Sequence, residues 1–298
     1  MRRRTWLLGI GAAVVALAVP VCVLSQGPKL ETDLTFGTAG GEELKLDFVR
    51  PTAGDGPFPL VVFIHGGGWR IGNRRDNHGL MQGAAKAGYA AASIQYRFAP
   101  KHKFPAQLDD VRQAFAYLRK EAERLRIDPD RVVVAGGSAG GHLALLAGFY
   151  KDANGERIPG IRGIVNLCGP TDFVHIKIPD DGNAGMKKAI GVSVDDLIND
   201  LLGTPDRSAA IAKEASPVTY IDKNAPPVLT MHGEKDNIVP ADQARILHAA
   251  LKEAGVPEKL VLLEGAGHDL GGQANGARMV LEMLSFLKER LGKKQSGE

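Results

Sequence analysis

The sequence predicts an α/β domain: a largely parallel sheet with helices on both faces. Two observations carry this. Short β-branched runs recur along the chain, and longer amphipathic stretches separate them. Leu44–Val49 alternates as a half-exposed strand does, whereas Pro59–Ile64, Tyr89–Tyr96, Arg131–Ala135, Ile161–Leu167, Pro227–Met231 and Lys259–Leu263 are continuous enough to be buried on both sides. Between them, Ala106–Leu125 sets Val111, Ala114, Phe115 and Leu118 on one helical face, and Ala139–Tyr150, Ala241–Ala254 and Ala277–Leu291 also read as helices. Strands alternating with helices at this rhythm form parallel sheets, because a parallel neighbour needs a crossover.

Composition agrees. Of 298 residues, 44% are hydrophobic and 24% charged, which excludes disordered and fibrous classes. No repeat or long linker interrupts residues 26–298, so they are expected to form one domain. Residues 171–218 break the rhythm with Gly, Asp and Pro and no clear strand; they are expected to be an insertion of small helices and loops, either a lid or a surface cover.

The first 25 residues differ from the rest. Arg2, Arg3 and Arg4 precede an uncharged stretch from Thr5 to Ser25, the layout of a signal peptide or, since the stretch is long, an uncleaved membrane anchor. Val21 and Pro20 before Cys22 argue against a lipid-modified cysteine. The expected location is outside the cytoplasm, either exported or tethered. The formal charge of +3 comes from those three arginines, and without them 34 basic residues face 34 acidic ones. Such a balance gives no basic field for nucleic acid.

Two glycine clusters carry the chemistry. Gly136-Gly137-Ser138-Ala139-Gly140 follows a strand directly and opens a helix, the context a nucleophilic serine needs. Small neighbours let the chain turn tightly and expose the hydroxyl, and the helix N-terminus turns its positive end toward it. His65-Gly66-Gly67-Gly68-Trp69 also follows a strand; its bare backbone can bring N–H groups to an oxyanion. Gly67, Gly68 and Ala139 are the expected donors. His65 reads as a loop-holding residue, and Trp69 either lines a substrate pocket or packs in the core.

A serine needs a base. After Pro227–Met231 comes His232-Gly233-Glu234-Lys235-Asp236, and after Lys259–Leu263 comes Gly265-Ala266-Gly267-His268-Asp269. Ser138, Asp236 and His268 then follow the order nucleophile, acid, histidine, each after its own strand. Glu234 is the alternative acid.

On these motifs, with YRFAPKHKFPAQLDD, IDPDR and ASPVTY, the chain from about Leu44 to Leu291 resembles the hormone-sensitive-lipase-like carboxylesterases. GGSAGGH and Gly169-Pro170-Thr171-Asp172 look closer to the bacterial bifunctional acetylxylan/feruloyl esterases. The resemblance implies an eight-stranded α/β-hydrolase fold, a triad on Ser138, Asp236 and His268, and hydrolysis of short acyl, acetyl or feruloyl esters of polysaccharide. A broad-range short-chain carboxylesterase is the alternative, and a catalytically silent binding module the non-enzyme one. Gln95 and Gly137 depart from the lipase-like pattern, which usually has Asp at both. Neither a cofactor nor a metal is expected: His78, His102, His142, His175 and His248 lack ligand spacing, His232 and Cys168 read as packed residues, and Asp109 and Asp110 as helix openers.

Overall fold

The computed structural model describes residues 27–292; the predicted leader lies outside the described residues. In chain order the elements begin with β1 (Leu30–Ala39), β2 (Glu42–Val49), β3 (Phe58–Ile64), α1 (His78–Lys86), β4 (Ala90–Ile94), α2 (Ala106–Lys120) and α3 (Ala122–Leu125). Then come β5 (Ile127–Gly137), α4 (Ala139–Phe149), β6 (Ile161–Leu167), α5 (Asp180–Ile190), α6 (Val194–Leu202) and α7 (Ala210–Glu214). The chain closes with β7 (Val228–Gly233), α8 (Asp242–Glu253), β8 (Glu258–Leu263) and α9 (Gly272–Leu291). One eight-stranded sheet runs in the order β1-β2-β4-β3-β5-β6-β7-β8. Its first two pairings are antiparallel and the remainder parallel, the α/β-hydrolase arrangement.

The two-residue period of a strand divides the core. Leu60, Val62 and Ile64 of β3 and Val132 and Val134 of β5 face a layer with Val111, Ala114, Leu143 and Leu247. The intervening Val61, Phe63, Val133 and Ala135 face Met81, Ala84, Phe286 and Leu287 on the other side. Thus α2, α4 and α8 cover one face, and α1 and α9 the other. Each Val, Leu, Ile, Phe or Met among these contributes about 1.5–3 kcal/mol when fully buried. Helix α4 is buried at every position, which its sequence AGGHLALLAGF permits because no charged side chain needs water.

Some elements differ from expectation. β1 was not foreseen: its sequence LETDLTFGTA is mixed, since it is an edge strand in which Phe36 alone is fully buried. α1, with two glycines in nine residues, has a weak helical pattern. The helix expected over Ala106–Leu125 is two helices that break at Glu121. Asp110 does not serve the helix end. It is buried and pairs with Arg97, accepting from Arg97 N at 2.8 Å and Nε at 2.9 Å. The 171–218 segment follows β6 and supplies α5, α6, α7 and a 3-10 turn at Pro217–Tyr220.

Candidate active site

The sheet delivers the site at the carboxyl ends of its central parallel strands. Ser138 occupies the turn between β5 and α4 with φ 53° and ψ −122°, a conformation costly for a residue with a side chain. The turn closes because a side chain is missing at two places. A Cβ on Gly136 would meet the Gly140 carbonyl, and one on Gly140 would meet the Ile64 carbonyl of β3. Gly137 is different: a Cβ there would have Leu167 as its nearest neighbour at 3.9 Å.

Ser138 Oγ lies 3.0 Å from His268 Nε2, and His268 Nδ1 lies 2.7 Å from Asp236 Oδ2. With Nδ1–H donating to the carboxylate, Nε2 is left to accept from the serine hydroxyl. Asp236 is buried, and its Oδ1 accepts from the amides of Ile238 and Val239, both at 2.9 Å. His232 Nε2 donates to Val239 O at 2.7 Å and stands 3.3 Å from Asp236 Oδ2, so it braces the acid. Glu234, the alternative acid, is exposed to solvent. The acid and histidine turns are joined by Lys235 N to Ala266 O at 2.8 Å and Glu234 N to Leu263 O at 3.1 Å. Gly233 makes this approach possible, since a Cβ there would strike the Ala266 and Gly267 carbonyls.

Charge follows geometry. Burial opposes a negative charge on Asp236, but hydrogen bonds from His232 and His268 and the Val239 amide hold its carboxyl well below the usual range. Burial likewise opposes a positive charge on His268, yet the hydrogen bond to Asp236 and the contact with Cys168 raise its proton affinity above that of an ordinary imidazole. Such a pair favours the imidazolium that forms when serine gives up its proton.

The glycine loop after β3 turns through successive positive φ values, 109° at Gly67, 58° at Gly68 and 56° at Trp69. A Cβ on Gly67 would also collide with the Ile71 carbonyl. Among the described residues, the amides of Gly67, Gly68 and Ala139 donate to no backbone carbonyl. The Tyr96 hydroxyl holds the loop by donating to His65 O at 3.1 Å, with its ring stacked on His65 at 4.4 Å. His65 therefore stands behind the loop. Trp69 is buried against His142 and Phe173 and at the same time borders a small recess next to Ser138.

An open cleft of about 450 Å³ lies over these groups, bordered by Ile71, Asn77, Gly137, Met186, Leu197 and Asp269 as well as Ser138 and His268. Helices α5 and α6 of the insertion supply Met186 and Leu197, which sequence reasoning did not identify; a helix inside an irregular segment gave no cue to the face it presents. Gly233 was missed as well, and His232, expected to be a packed residue, is buried as such but also braces the acid. Cys168, Asp236 and His268 bring a sulfur, a carboxylate oxygen and a ring nitrogen within 4.8 Å of one another. Asp236 and His268 are already satisfied by each other and by Ser138, so the group reads as a hydrogen-bonded relay. The remaining histidines serve structure: His78 meets Asp47 at 2.7 Å, His102 meets Glu42 at 3.1 Å, and His175 meets Asp172 at 2.7 Å. His248 contacts Glu258.

The model of the BD-FAE family matches residues 46–251. The chain belongs to the BD-FAE family. Among curated proteins, this BD-FAE chain is 30% identical to the probable carboxylic ester hydrolase LipM of Mycobacterium tuberculosis, covering 89% of the chain and 62% of LipM. It is 32% identical to the esterase LipQ of the same organism, covering 85% of the chain and 61% of LipQ. The chain thus spans about three fifths of the length of these relatives. Among solved structures, a thermophilic esterase of Thermogutta terrifontis is similar at TM-score 0.70 and 27% identity, covering 90% of this chain and 95% of that one. A truncated carbohydrate esterase from gut microbiota shares the fold at TM-score 0.74 and 24% identity, covering 90% of this chain and 100% of that one.

Proposed function

We propose that the protein is a serine carboxylic-ester hydrolase that works through an acyl-enzyme on esters with short acyl groups. The observation that carries this reading is the unbroken relay from Asp236 Oδ2 through His268 to Ser138 Oγ, with spacings of 2.7 and 3.0 Å. His268 Nε2 takes the Ser138 proton as Oγ attacks the ester carbonyl carbon. The carbonyl oxygen becomes an oxyanion facing the amides of Gly67, Gly68 and Ala139. Collapse breaks the bond to the alcohol, which leaves with the proton from His268. Water then gives a proton to His268, attacks the acyl-enzyme, and releases the acid with Ser138 restored. Trp69 borders the acyl end through the recess beside Ser138.

Polysaccharide acetyl or feruloyl esters are the proposed natural substrates, supported by family membership and by the likeness to a carbohydrate esterase. The proposed location is outside the cytoplasm, on the strength of the three arginines and the apolar stretch after them; among the described residues no helix is long and apolar enough to cross a membrane. Incubation with nitrophenyl acetate, butyrate and octanoate, acetylated xylan and methyl ferulate tests the activity. Ser138→Ala should abolish hydrolysis while the circular dichroism spectrum and melting temperature stay as in the parent. Retained turnover by that variant would reject Ser138 as the nucleophile.

A further inference from the structure

Ser138 stands where two cavities of unequal character meet. One is the open cleft of about 450 Å³, with His268, Asn77 and Asp269 among its walls. The other is a recess of about 40 Å³, bordered by Trp69, Ile176, Val194, Leu197 and Ile198. Gly68, Ser138, Met186 and Leu197 belong to both, so the nucleophile and one oxyanion donor lie at the junction. His268 borders the cleft and not the recess.

That asymmetry orients an ester. The imidazolium formed in the first step must pass its proton to the alcohol oxygen, so the alcohol lies on the His268 side. The open cleft then holds the alcohol, and the acyl chain is directed into the recess. On the same measure the recess has about a tenth of the room of the cleft, about 40 against about 450 Å³, so it suits the smaller and less polar of the ester's two groups. The side chains named around it are apolar or aromatic, which suits a short aliphatic group and offers nothing to a phenolic hydroxyl. Leu197 is 4% exposed, fixed by the packing of α6, whereas Met186 is half-buried and unbranched.

We propose that the recess is the acyl pocket and that Leu197, with Met186 as its movable neighbour, limits the acyl group to short aliphatic chains. This rests on the esterase reading above and divides its two proposed polysaccharide substrates. Acetyl esters of bulky alcohols are accepted. Feruloyl esters are refused, because an aromatic acid would have to displace α6.

The test compares kcat/KM on nitrophenyl acetate, propionate, butyrate and octanoate, together with methyl ferulate, for the parent, Leu197→Ala and Met186→Ala. Octanoate should be cleaved at least about tenfold more slowly than acetate in kcat/KM, since even one methylene too many for a tight apolar pocket costs about tenfold or more. Methyl ferulate should remain uncleaved. Both variants should raise the ratio of octanoate to acetate turnover by about tenfold; Met186→Ala alters a half-exposed position and serves if Leu197→Ala fails to fold. Parent protein that cleaves octanoate or ferulate as fast as acetate would overturn the proposal, as would an unchanged ratio in the folded variants. Hydrolysis of none of the esters would instead sink the esterase reading itself, and this assignment with it.

Discussion

The indole N–H of Trp69 donates to Nδ1 of His142 at 3.1 Å, and Nε2–H of the same ring donates to Ala215 O at 2.7 Å. Three stretches that stood out in the sequence, HGGGW, GGSAGGH and ASPVTY, therefore meet at one imidazole. The bond joins the loop that carries Gly67 and Gly68 to the helix that opens at Ala139, so the three candidate oxyanion donors share one support. Both ring nitrogens are used in the neutral form, and protonation of Nδ1 would set N–H against N–H.

This arrangement makes stability depend on acid. Full burial pushes the His142 pKa down to about 4, against which its bond to Ala215 works only partly. Between the ordinary value of about 6.5 and that lower one, the unfolded chain binds a proton that the native state does not. Stability is accordingly complete above the unfolded value and declines as pH falls from about 6.5 toward 4, by up to about 3 kcal/mol. Urea unfolding at stepped pH should record that decline. His142→Gln, which keeps a donor and an acceptor without titrating, should flatten it; an identical slope in the variant would move the cause elsewhere.

Asp236 and His268 give a second pH dependence, on activity. Only neutral His268 can accept the serine proton, so kcat/KM should fall as pH drops through its pKa, and the acid limb should lie above the ordinary imidazole value because Asp236 favours the charged ring. Asp236→Asn removes that charge and should shift the limb downward. The same change permits the wrong ring tautomer and should lower kcat by roughly 10⁴-fold, as the corresponding substitution does in a serine protease. A limb that stays in place would mean that another group sets it.

Gly67→Ala should damage catalysis beyond what a methyl group would suggest. The new Cβ meets the Ile71 carbonyl at a φ of 109°, so the loop must turn and its amide leaves its position. Loss of one oxyanion donor costs about 10²–10³-fold in kcat. KM for a short ester should move far less than kcat, and steady-state kinetics on nitrophenyl acetate would separate the two. An equal loss through KM alone would place Gly67 in substrate binding instead.

The site was more legible than the fold around it, for physical reasons. A nucleophile turn needs glycines at close approaches, and Gly136 and Gly140 are visible as such because no other residue fits. Asp236 and His268 follow strands with strong apolar runs, so chain order sufficed to single them out as candidates, and the structure brings them within 2.7 Å of each other. The acyl side was hidden, since Met186 and Leu197 lie in the insertion, where the pattern indicates a helix without showing what it faces. β1 was hidden because an edge strand paired on one side keeps its polar residues in water. Asp110 looked like a helix opener because local sequence cannot reveal that Arg97 reaches it across a turn.

Gly137 stands where the lipase-like pattern has Asp. No positive φ or close contact requires glycine there: a Cβ would have Leu167 at 3.9 Å as its nearest neighbour, and the position borders the cleft on the alcohol side. Gly137→Asp should therefore fold, and should cost less stability than the same change at Gly136 or Gly140, where a Cβ meets backbone. Its effect should fall on the substrate. A carboxylate placed beside Ser138 narrows the cleft and adds negative charge to a wall that already holds Asp269. KM for acetylated polysaccharide should rise more than KM for nitrophenyl acetate, because the larger alcohol fills more of the cleft. Equal effects on both substrates would mean that the alcohol does not lie against this wall.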